Sequence, residues 1–166
     1  MTTLLLLRHS IPERGGSSPD PGLSAKGLQR AAAVFQNDAF RTVSLVWSSP
    51  SLRALQTAQL LGLPVRQDTR LVERRTGDTT GQDASFWKRQ YEDPDFKNPD
   101  GESFREVSAR MADCIHELLD SLPEGQSALV VSHAAAICSY LQRFCTVEVT
   151  DAAQKLRRIT FQGEVL

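Results

Sequence analysis

The chain has 166 residues, 40% hydrophobic and 23% charged, which predicts a single domain (residues 1–166) with its own hydrophobic core. Its 19 basic and 20 acidic side chains nearly cancel, which argues against nucleic acid or an anionic membrane as the main partner. Apolar runs such as LLLL are too short to span a membrane, and no secretory signal is evident. We expect the three cysteines to be reduced thiols. We therefore expect a cytoplasmic protein, and the residues indicate no particular oligomeric state.

The first third of the chain predicts two strands separated by one helix. Residues 3–7 are a continuous apolar run typical of a strand buried on both faces, and a loop rich in Pro, Gly and Ser follows at 11–22. Ser24 is a good N-cap for the next helix, and VSLVW at 43–47 predicts the second strand. The helical residues expected to face inward are Leu28, Ala31, Ala32 and Phe35.

A second helix is predicted directly after strand 43–47. Ser49 suits its N-cap and Pro50 its first turn, and the apolar stripe ends at Gly62. The members of that stripe are Leu52, Leu55, Ala58 and Leu61. A short strand is weakly indicated at 64–67. Residues 72–100 lack sustained periodicity, and we expect a short lid-like insert around 82–100.

The last part of the chain continues the alternation of helix and strand. Ser103 and Glu106 form a capping box that begins a helix running to about residue 122. A strand is predicted at 127–133, a helix at 134–144 and a final strand at 155–162. The alternation predicts an α/β fold, a three-layer α/β/α sandwich with a mostly parallel central sheet.

Two of the three histidines occupy matching positions at the ends of predicted strands. His9 follows LLLLR, and His133 follows ALVVS. Ligands of open α/β sheets bind beyond the carboxyl ends of the strands, where these two imidazoles could converge. A single histidine at a strand end would be unremarkable, but the matched pair favours function. His116 lies beside the apolar stripe of its helix, and we expect it to be solvated.

Two arginines accompany the histidines. Arg8 precedes His9, and Arg53 lies in the first turn predicted after strand 43–47. Alone, Arg53 would be interpreted as a surface residue; together with Arg8 it offers a second planar fork for an anion. Helix N-termini at this edge would add backbone N–H donors. The set suits a phosphate and not a metal ion, because arginine repels cations and no carboxylate cluster accompanies the histidines.

Five short motifs carry a resemblance to a known family. In chain order they are Arg8-His9-Ser10, SSPSLRALQTA from Ser48 to Ala58, Leu71-Val72-Glu73 with Gly77 and Gly81, PDGES from Pro99 to Ser103, and Val131-Ser132-His133-Ala134-Ala135. On these elements, which span residues 4–137, the chain resembles the histidine phosphatase superfamily of phosphoglycerate-mutase-like proteins. It is most similar to the branch of small α-ribazole phosphatases and broad phosphomonoesterases.

The chain departs from the family pattern at several positions. Ser10 and the pair Ala134-Ala135 replace glycines of the family motifs. Pro12 and Gly15 stand where many relatives have Thr and Asn. These replacements remove two polar side chains that commonly lie near the phosphate.

The resemblance implies a role for each motif residue. His9 would be the nucleophile that forms a phosphohistidine, and Glu73 the acid and base. Arg8, Arg53 and His133 would stabilise the charge on the transferred phosphoryl group. Ser10 and Ala134 would also contact the substrate, together with Arg8, Arg53 and His133. No metal and no cofactor is implied.

The expected activity is hydrolysis of a small phosphomonoester, such as α-ribazole phosphate or a sugar phosphate, by a metal-independent enzyme of the histidine acid phosphatase type. The segment between Val72 and Gly101 is short for the lids that keep water out of a mutase. Three alternatives stay open: a phosphomutase, a protein phosphohistidine phosphatase, and a non-catalytic phosphate-binding module that kept the fold.

Overall fold

Aliphatic strands alternate with amphipathic helices along the computed structural model, which describes residues 2–83, 85–149 and 159–162. One parallel sheet has the strand order β1-β4-β2-β3. Its strands are β1 (Thr3–Arg8), β2 (Val43–Ser48), β3 (Val65–Gln67) and β4 (Ser127–Ser132). The helices of the described ranges are α1 (Ala25–Val34), α2 (Leu52–Gln59), α3 (Phe86–Glu92), α4 (Phe104–Asp120) and α5 (Ala134–Leu141). The predicted α/β fold with a parallel sheet is confirmed.

The chain divides into two compact units, and the first contains the whole parallel sheet. It comprises the residues up to Val72 and the segment Asp113–His133. β4 lies between β1 and β2 in the sheet and is buried along its entire length. Its aliphatic side chains pack with those of β2 and α2 in one core cluster, whose buried members are Val43, Val46, Ala54, Ala58, Leu129 and Val131.

Helix α1 begins as predicted but buries a narrower face than expected. Ser24 is its N-cap, and the Ser24 hydroxyl accepts a hydrogen bond from the Gly27 N–H. The helix lies so close to the preceding loop that a Cβ at Gly27 would stand 2.1 Å from the Ile11 carbonyl oxygen. The buried face therefore runs through Gly27 and Ala31. The expectation that Leu28 and Ala32 face inward is wrong, since both are exposed.

Helix α2 begins later than predicted. Its N-cap is Ser51, and its first helical residue is Leu52. The Ser51 side chain makes no capping bond; the Asp20 carboxylate accepts from the Leu52 N–H instead, at 2.8 Å. Leu52 is 40% exposed and so does not join the buried stripe, which consists of Ala54, Thr57 and Ala58. The predicted cap Ser49 is fully buried one residue beyond β2.

Helix α4 matches its predicted capping and periodicity. The Ser103 N–H donates to the Glu106 carboxylate at 2.8 Å, and the Glu106 N–H donates to the Ser103 hydroxyl at 3.2 Å, which is the reciprocal capping box. The apolar stripe that the sequence predicts from 104 to 122 is buried throughout: Phe104, Val107, Met111, Ile115, Leu118 and Leu122.

The second unit comprises Glu73–Ala112 and the residues from Ala134 onward. Its small core contains Tyr91 and Phe104, whose rings meet edge to face at 4.7 Å. Two further strands, β5 (Thr146–Val149) and β6 (Ile159–Gln162), pair antiparallel in this unit. β6 is the described part of the predicted final strand, whose residues 155–158 lie outside the described ranges; β5 was not predicted.

A tight turn in the second unit explains two of its glycines. Gly77 has a φ of 75°, and a Cβ there would lie 2.3 Å from the Pro99 carbonyl oxygen. The Asp78 N–H donates to that same oxygen at 2.8 Å. A Cβ at Gly101 would lie 2.7 Å from the Thr76 carbonyl oxygen. Both positions therefore exclude a side chain.

Across the described ranges, no helix combines the length and the apolar character needed to cross a membrane.

Candidate active site

The parallel pairing of β1 and β4 brings two histidines to the same edge of the sheet. Arg8 lies opposite Ser132 in the register, so His9 and His133 leave their strands side by side. The His9 N–H donates to the Ser132 carbonyl at 2.9 Å, which extends the ladder by one more bond. The two ring centroids are 5.1 Å apart with an interplanar angle of 64°. Residues far apart in the sequence thus converge beyond the carboxyl ends of adjacent strands.

The hydrogen bonds of His9 define which ring nitrogen carries the proton. Its Nδ1 lies 2.7 Å from the Ser10 carbonyl oxygen, which can only accept, so Nδ1 carries the hydrogen. Nε2 therefore holds the lone pair, and it accepts a hydrogen bond from Arg53 Nε at 3.2 Å. A neutral imidazole with its lone pair directed into the cluster is the form that can act as a nucleophile.

The surroundings of His9 keep its imidazole neutral. Burial lowers the pKa of His9 below the ordinary value of 6.5, and the nearby cations of Arg53 and Arg8 lower it further. The hydrogen bond to the Ser10 carbonyl acts in the opposite direction without reversing the shift. At neutral pH the ring is therefore unprotonated at Nε2.

Arg53 connects the cluster from the first turn of α2. Its Nε donates to His9, and its Nη2 lies 3.3 Å from His133 Nδ1. Its Nη1 donates to an Asp20 carboxylate oxygen at 3.2 Å. Because Asp20 also caps the Leu52 N–H, one carboxylate holds both the start of α2 and the guanidinium group that α2 carries.

His133 is fully buried, and Ser49 fixes its ring from the end of β2. A guanidinium group can only donate, so His133 Nδ1 accepts from Arg53. The hydrogen then lies on Nε2, which is 2.9 Å from the Ser49 hydroxyl oxygen. The Ser49 N–H donates to the Val131 carbonyl, which places Ser49 beside the end of β4.

Arg8 and Ser10 differ in how they are held. Arg8 is exposed, and within the described ranges its side chain has no hydrogen-bond or ion-pair partner. The Ser10 N–H donates to the Thr57 hydroxyl at 3.0 Å, and its own hydroxyl donates to the Gly27 carbonyl at 2.8 Å. In this conformation Ser10 has no proton left to donate to a phosphate oxygen, and its role in substrate binding stays a prediction.

In the second unit, Glu73 lies at the start of α5. Its carboxylate accepts from the Ala136 N–H at 2.9 Å and from the Ala135 N–H at 3.2 Å. The Arg74 N–H adds a third bond at 2.8 Å. Ala134, which directly follows His133 in the chain, is half-buried, and its N–H has no acceptor among the described residues. Backbone donors therefore orient the Glu73 carboxylate firmly.

Three residues that shape the cluster were not predicted for it: Asp20, Ser49 and Thr57. Asp20 lies between two prolines in a loop of small residues, which is a weak signal for a fixed carboxylate. Ser49 was interpreted as a helix cap, and Thr57 lies within the apolar face of α2. The Thr57 hydroxyl donates to the Arg53 carbonyl at 2.7 Å and accepts from Ser10, so it joins α2 to the residue after His9.

The chemistry of this cluster suits an oxyanion. Two guanidinium groups supply donors and positive charge at one strand edge, and two neutral imidazoles lie beside them. In the part of the chain that the structure describes, no group of three or more His, Cys, Asp or Glu side chains is placed to hold a metal ion.

Known proteins of one family resemble this chain in sequence and in fold. The model of the histidine phosphatase superfamily (branch 1) matches residues 4–158. The probable phosphoglycerate mutase GpmB of Cronobacter sakazakii is 32% identical over 155 residues, which cover 82% of this chain and 72% of that protein. The native structure of a mycobacterial glucosyl-3-phosphoglycerate phosphatase is 29% identical, with a TM-score of 0.72, over 84% of this chain and 77% of that one. Its complex with inorganic phosphate has a TM-score of 0.72 at 26% identity and covers 98% of this chain and 95% of that one.

Proposed function

The chain belongs to the histidine phosphatase superfamily (branch 1), and on that premise we propose that it hydrolyses a small phosphomonoester through a phosphohistidine formed on His9. The observation that carries the proposal is the state of the His9 ring. Nδ1 donates to the Ser10 carbonyl, and the lone pair on Nε2 lies 3.2 Å from Arg53 Nε. The nucleophilic nitrogen of His9 and a donor for phosphoryl oxygens on Arg53 therefore lie within hydrogen-bond distance of each other.

The first proposed step transfers the phosphoryl group to the enzyme. The His9 Nε2 lone pair forms the new N–P bond as the P–O bond to the alcohol breaks. Arg8 and Arg53 donate to the phosphoryl oxygens, where negative charge accumulates. His133, whose Nδ1 accepts from Arg53 and whose Nε2 hydrogen faces Ser49, orients that guanidinium group in this conformation. Glu73 in its acid form gives its proton to the departing oxygen, so that a neutral alcohol leaves.

The second proposed step returns the enzyme to its starting state. Glu73, now a carboxylate, takes a proton from water as the water oxygen attacks phosphorus. The N–P bond breaks, inorganic phosphate leaves, and the electron pair returns to Nε2. Nδ1 keeps its proton throughout because the Ser10 carbonyl holds it. Ala134 supports the oxyanion through the backbone N–H described above.

Hydrolysis of p-nitrophenyl phosphate by the wild-type chain and by His9→Ala tests the proposal. We expect turnover by the wild type and none by the variant, whose fold should persist because His9 lies at a strand end and not in the core. His116→Ala is the matched control, since His116 is exposed on α4. Brief reaction with ³²P-labelled substrate, quenched in alkali, should leave label on His9. Label on another residue contradicts the nucleophile assignment, and phosphate binding without turnover favours a non-catalytic binding module.

α-Ribazole phosphate and sugar phosphates are the proposed substrate classes, and a phosphomutase is the second candidate. The similarity to a probable phosphoglycerate mutase favours testing the latter directly. Incubation with 3-phosphoglycerate separates the two activities, because a hydrolase releases inorganic phosphate whereas a mutase produces the isomer. The short segment between Val72 and Gly101 favours hydrolysis.

A further inference from the structure

A cavity of about 380 Å³ adjoins His9 within the first unit. It shares Arg8, His9 and Ser10 with the candidate active site, but Arg53 and His133 do not line it. Two further arginines reach it from separate elements: Arg14 from the loop after β1, and Arg30 from α1. Thr57 and five apolar residues form the rest of its wall; the apolar ones are Leu7, Ile11, Pro12, Ala31 and Val34.

The cavity carries positive charge that the described residues do not neutralise. Among the described residues no acidic side chain lines it, and Arg8, Arg14 and Arg30 form no ion pair with any of them. Glu13, next to Arg14 in the chain, neither lines the cavity nor pairs with that arginine. Several other arginines have carboxylate partners, as in the Arg70–Glu117 pair at 2.6 Å. Three like charges around one space repel one another, and an anion placed among them relieves that repulsion.

We propose that this cavity is a subsite for a second anionic group of the substrate. The substrate is then a phosphomonoester that also carries a carboxylate or a second phosphate, joined to the ester by a short carbon skeleton. This inference rests on the proposed function, which assigns the reacting phosphoryl group to the cluster of Arg8, His9, Arg53 and His133. Arg14 and Arg30 bind the second group, because a guanidinium fork matches the paired oxygens of a carboxylate or phosphate. The apolar wall packs against the carbon skeleton.

A matched substrate pair measures the effect. 3-Phosphoglycerate and glycerol 3-phosphate differ only in a carboxylate against a neutral hydroxymethyl group. We expect the wild-type kcat/KM to favour the acid by roughly tenfold or more, as for a charge-assisted contact. Fructose 1,6-bisphosphate against fructose 6-phosphate provides the second arm and distinguishes a phosphate from a carboxylate as the preferred group.

Variants of the subsite assign the preference to its arginines. Arg30→Gln and the double variant Arg14→Gln/Arg30→Gln should lower the acid-to-neutral ratio toward one. Arg30→Lys should restore part of the ratio, because it keeps the charge but loses the fork. Arg41→Gln is the control: Arg41 is exposed, lies outside the cavity and pairs with Asp38, so its loss should leave the ratio unchanged.

A binding measurement separates this inference from the proposed function. The same substrate pairs are titrated calorimetrically into His9→Ala, where no turnover occurs. Tighter binding of the anionic member supports the subsite even if the wild type hydrolyses no ester, an outcome that would overturn only the proposed activity. Equal kcat/KM and equal affinity within both pairs, or a wild-type ratio that survives in the double variant, overturns the subsite and leaves the hydrolase proposal standing.

Discussion

Replacing Arg53 by Gln tests the centre of the proposed mechanism, because this one side chain contacts three others in the site. The substitution removes the donor to His9 Nε2, the donor to His133 Nδ1 and the ion pair with Asp20. Gln is shorter and uncharged, so it cannot remake these contacts together. The effect on catalysis and the effect on stability can be estimated separately.

The catalytic effect should be the larger one. Loss of a preorganised donor to a developing oxyanion costs about 3–4 kcal/mol, or roughly 10²–10³-fold in kcat. For stability, the buried acceptor His133 Nδ1 loses its donor, which costs about 1–3 kcal/mol. The Asp20 ion pair adds about 1 kcal/mol or less, because the Asp20 side chain is 47% exposed. In a chain of this size each kcal/mol lowers Tm by about 2–4 °C, so the variant should stay folded at assay temperatures well below its Tm.

The assay is steady-state hydrolysis of p-nitrophenyl phosphate, with Tm measured on the same samples. Arg41→Gln controls for the loss of an aspartate-paired guanidinium outside the site. Gly81→Ala controls for a modest loss of stability, because Gly81 has a φ of 77° with open space around it. Wild-type kcat in Arg53→Gln, with both controls also unaffected, would refute the assignment of Arg53 to the phosphoryl group.

Three further predictions concern the pH dependence of activity, the role of Glu73 and the backbone at two glycines. The value of kcat/KM should fall as pH drops through the lowered pKa of His9, with an acid midpoint below 6.5, because His9 protonated at Nε2 cannot attack phosphorus. Arg53→Gln should move that midpoint upward, because it removes a cation that lowers the pKa of His9. Glu73→Gln should lower kcat/KM for an alkyl phosphate by about 10²–10⁴-fold. The loss should be smaller for p-nitrophenyl phosphate, because its leaving group departs without a proton. Equal effects on the two esters, or no effect on either, would contradict acid catalysis by Glu73. In urea unfolding, Gly81→Ala should lower the free energy of unfolding by about 1–2 kcal/mol because of its left-handed backbone. Gly77→Ala should lower it by more than about 3 kcal/mol, because the Cβ would lie 2.3 Å from a carbonyl oxygen. Equal losses in the two variants would contradict the close approach at Gly77.

Local sequence signals predicted most of the helices and strands, and the errors arose where a tertiary contact determined the structure instead. The capping box at Ser103 and the apolar run of β1 needed only neighbouring residues, and both were placed correctly. The start of α2 was misplaced because Ser49 and Ser51 are equally good caps by composition. The Asp20 carboxylate, 32 positions before Leu52, supplies the capping bond at the later position. Leu28 was assigned to the wrong face of α1 because the absence of a side chain at Gly27 determines which face approaches the Ile11 carbonyl.

The sequence predicted only those parts of the site that lie at strand ends or belong to the recognised motifs. Two histidines after two aliphatic strands predict convergence if the strands are neighbours, and the register of β1 with β4 makes them so. The contacts that orient the rings could not be predicted. Ser49 and His133 form a hydrogen bond although 84 positions separate them in the sequence. Asp20 and Arg53 do so across 33 positions, and Asp20 lies in a loop whose composition indicates no fixed conformation. Such contacts depend on tertiary packing rather than on local sequence.

The hydrogen bonds of Arg53 also indicate how its donors could serve the transition state. A guanidinium group has five N–H donors, and the described partners occupy one each on Nε, Nη1 and Nη2. One N–H on Nη1 and one on Nη2 therefore remain as a fork for phosphoryl oxygens. On the proposed mechanism, attack by His9 withdraws the lone pair to which Arg53 Nε donates, because that pair becomes the N–P bond. The Nε hydrogen is then released to an oxygen of the transferring group. This contact strengthens as negative charge accumulates on the transferring group, so it stabilises the transition state more than the bound substrate and lowers the barrier to reaction.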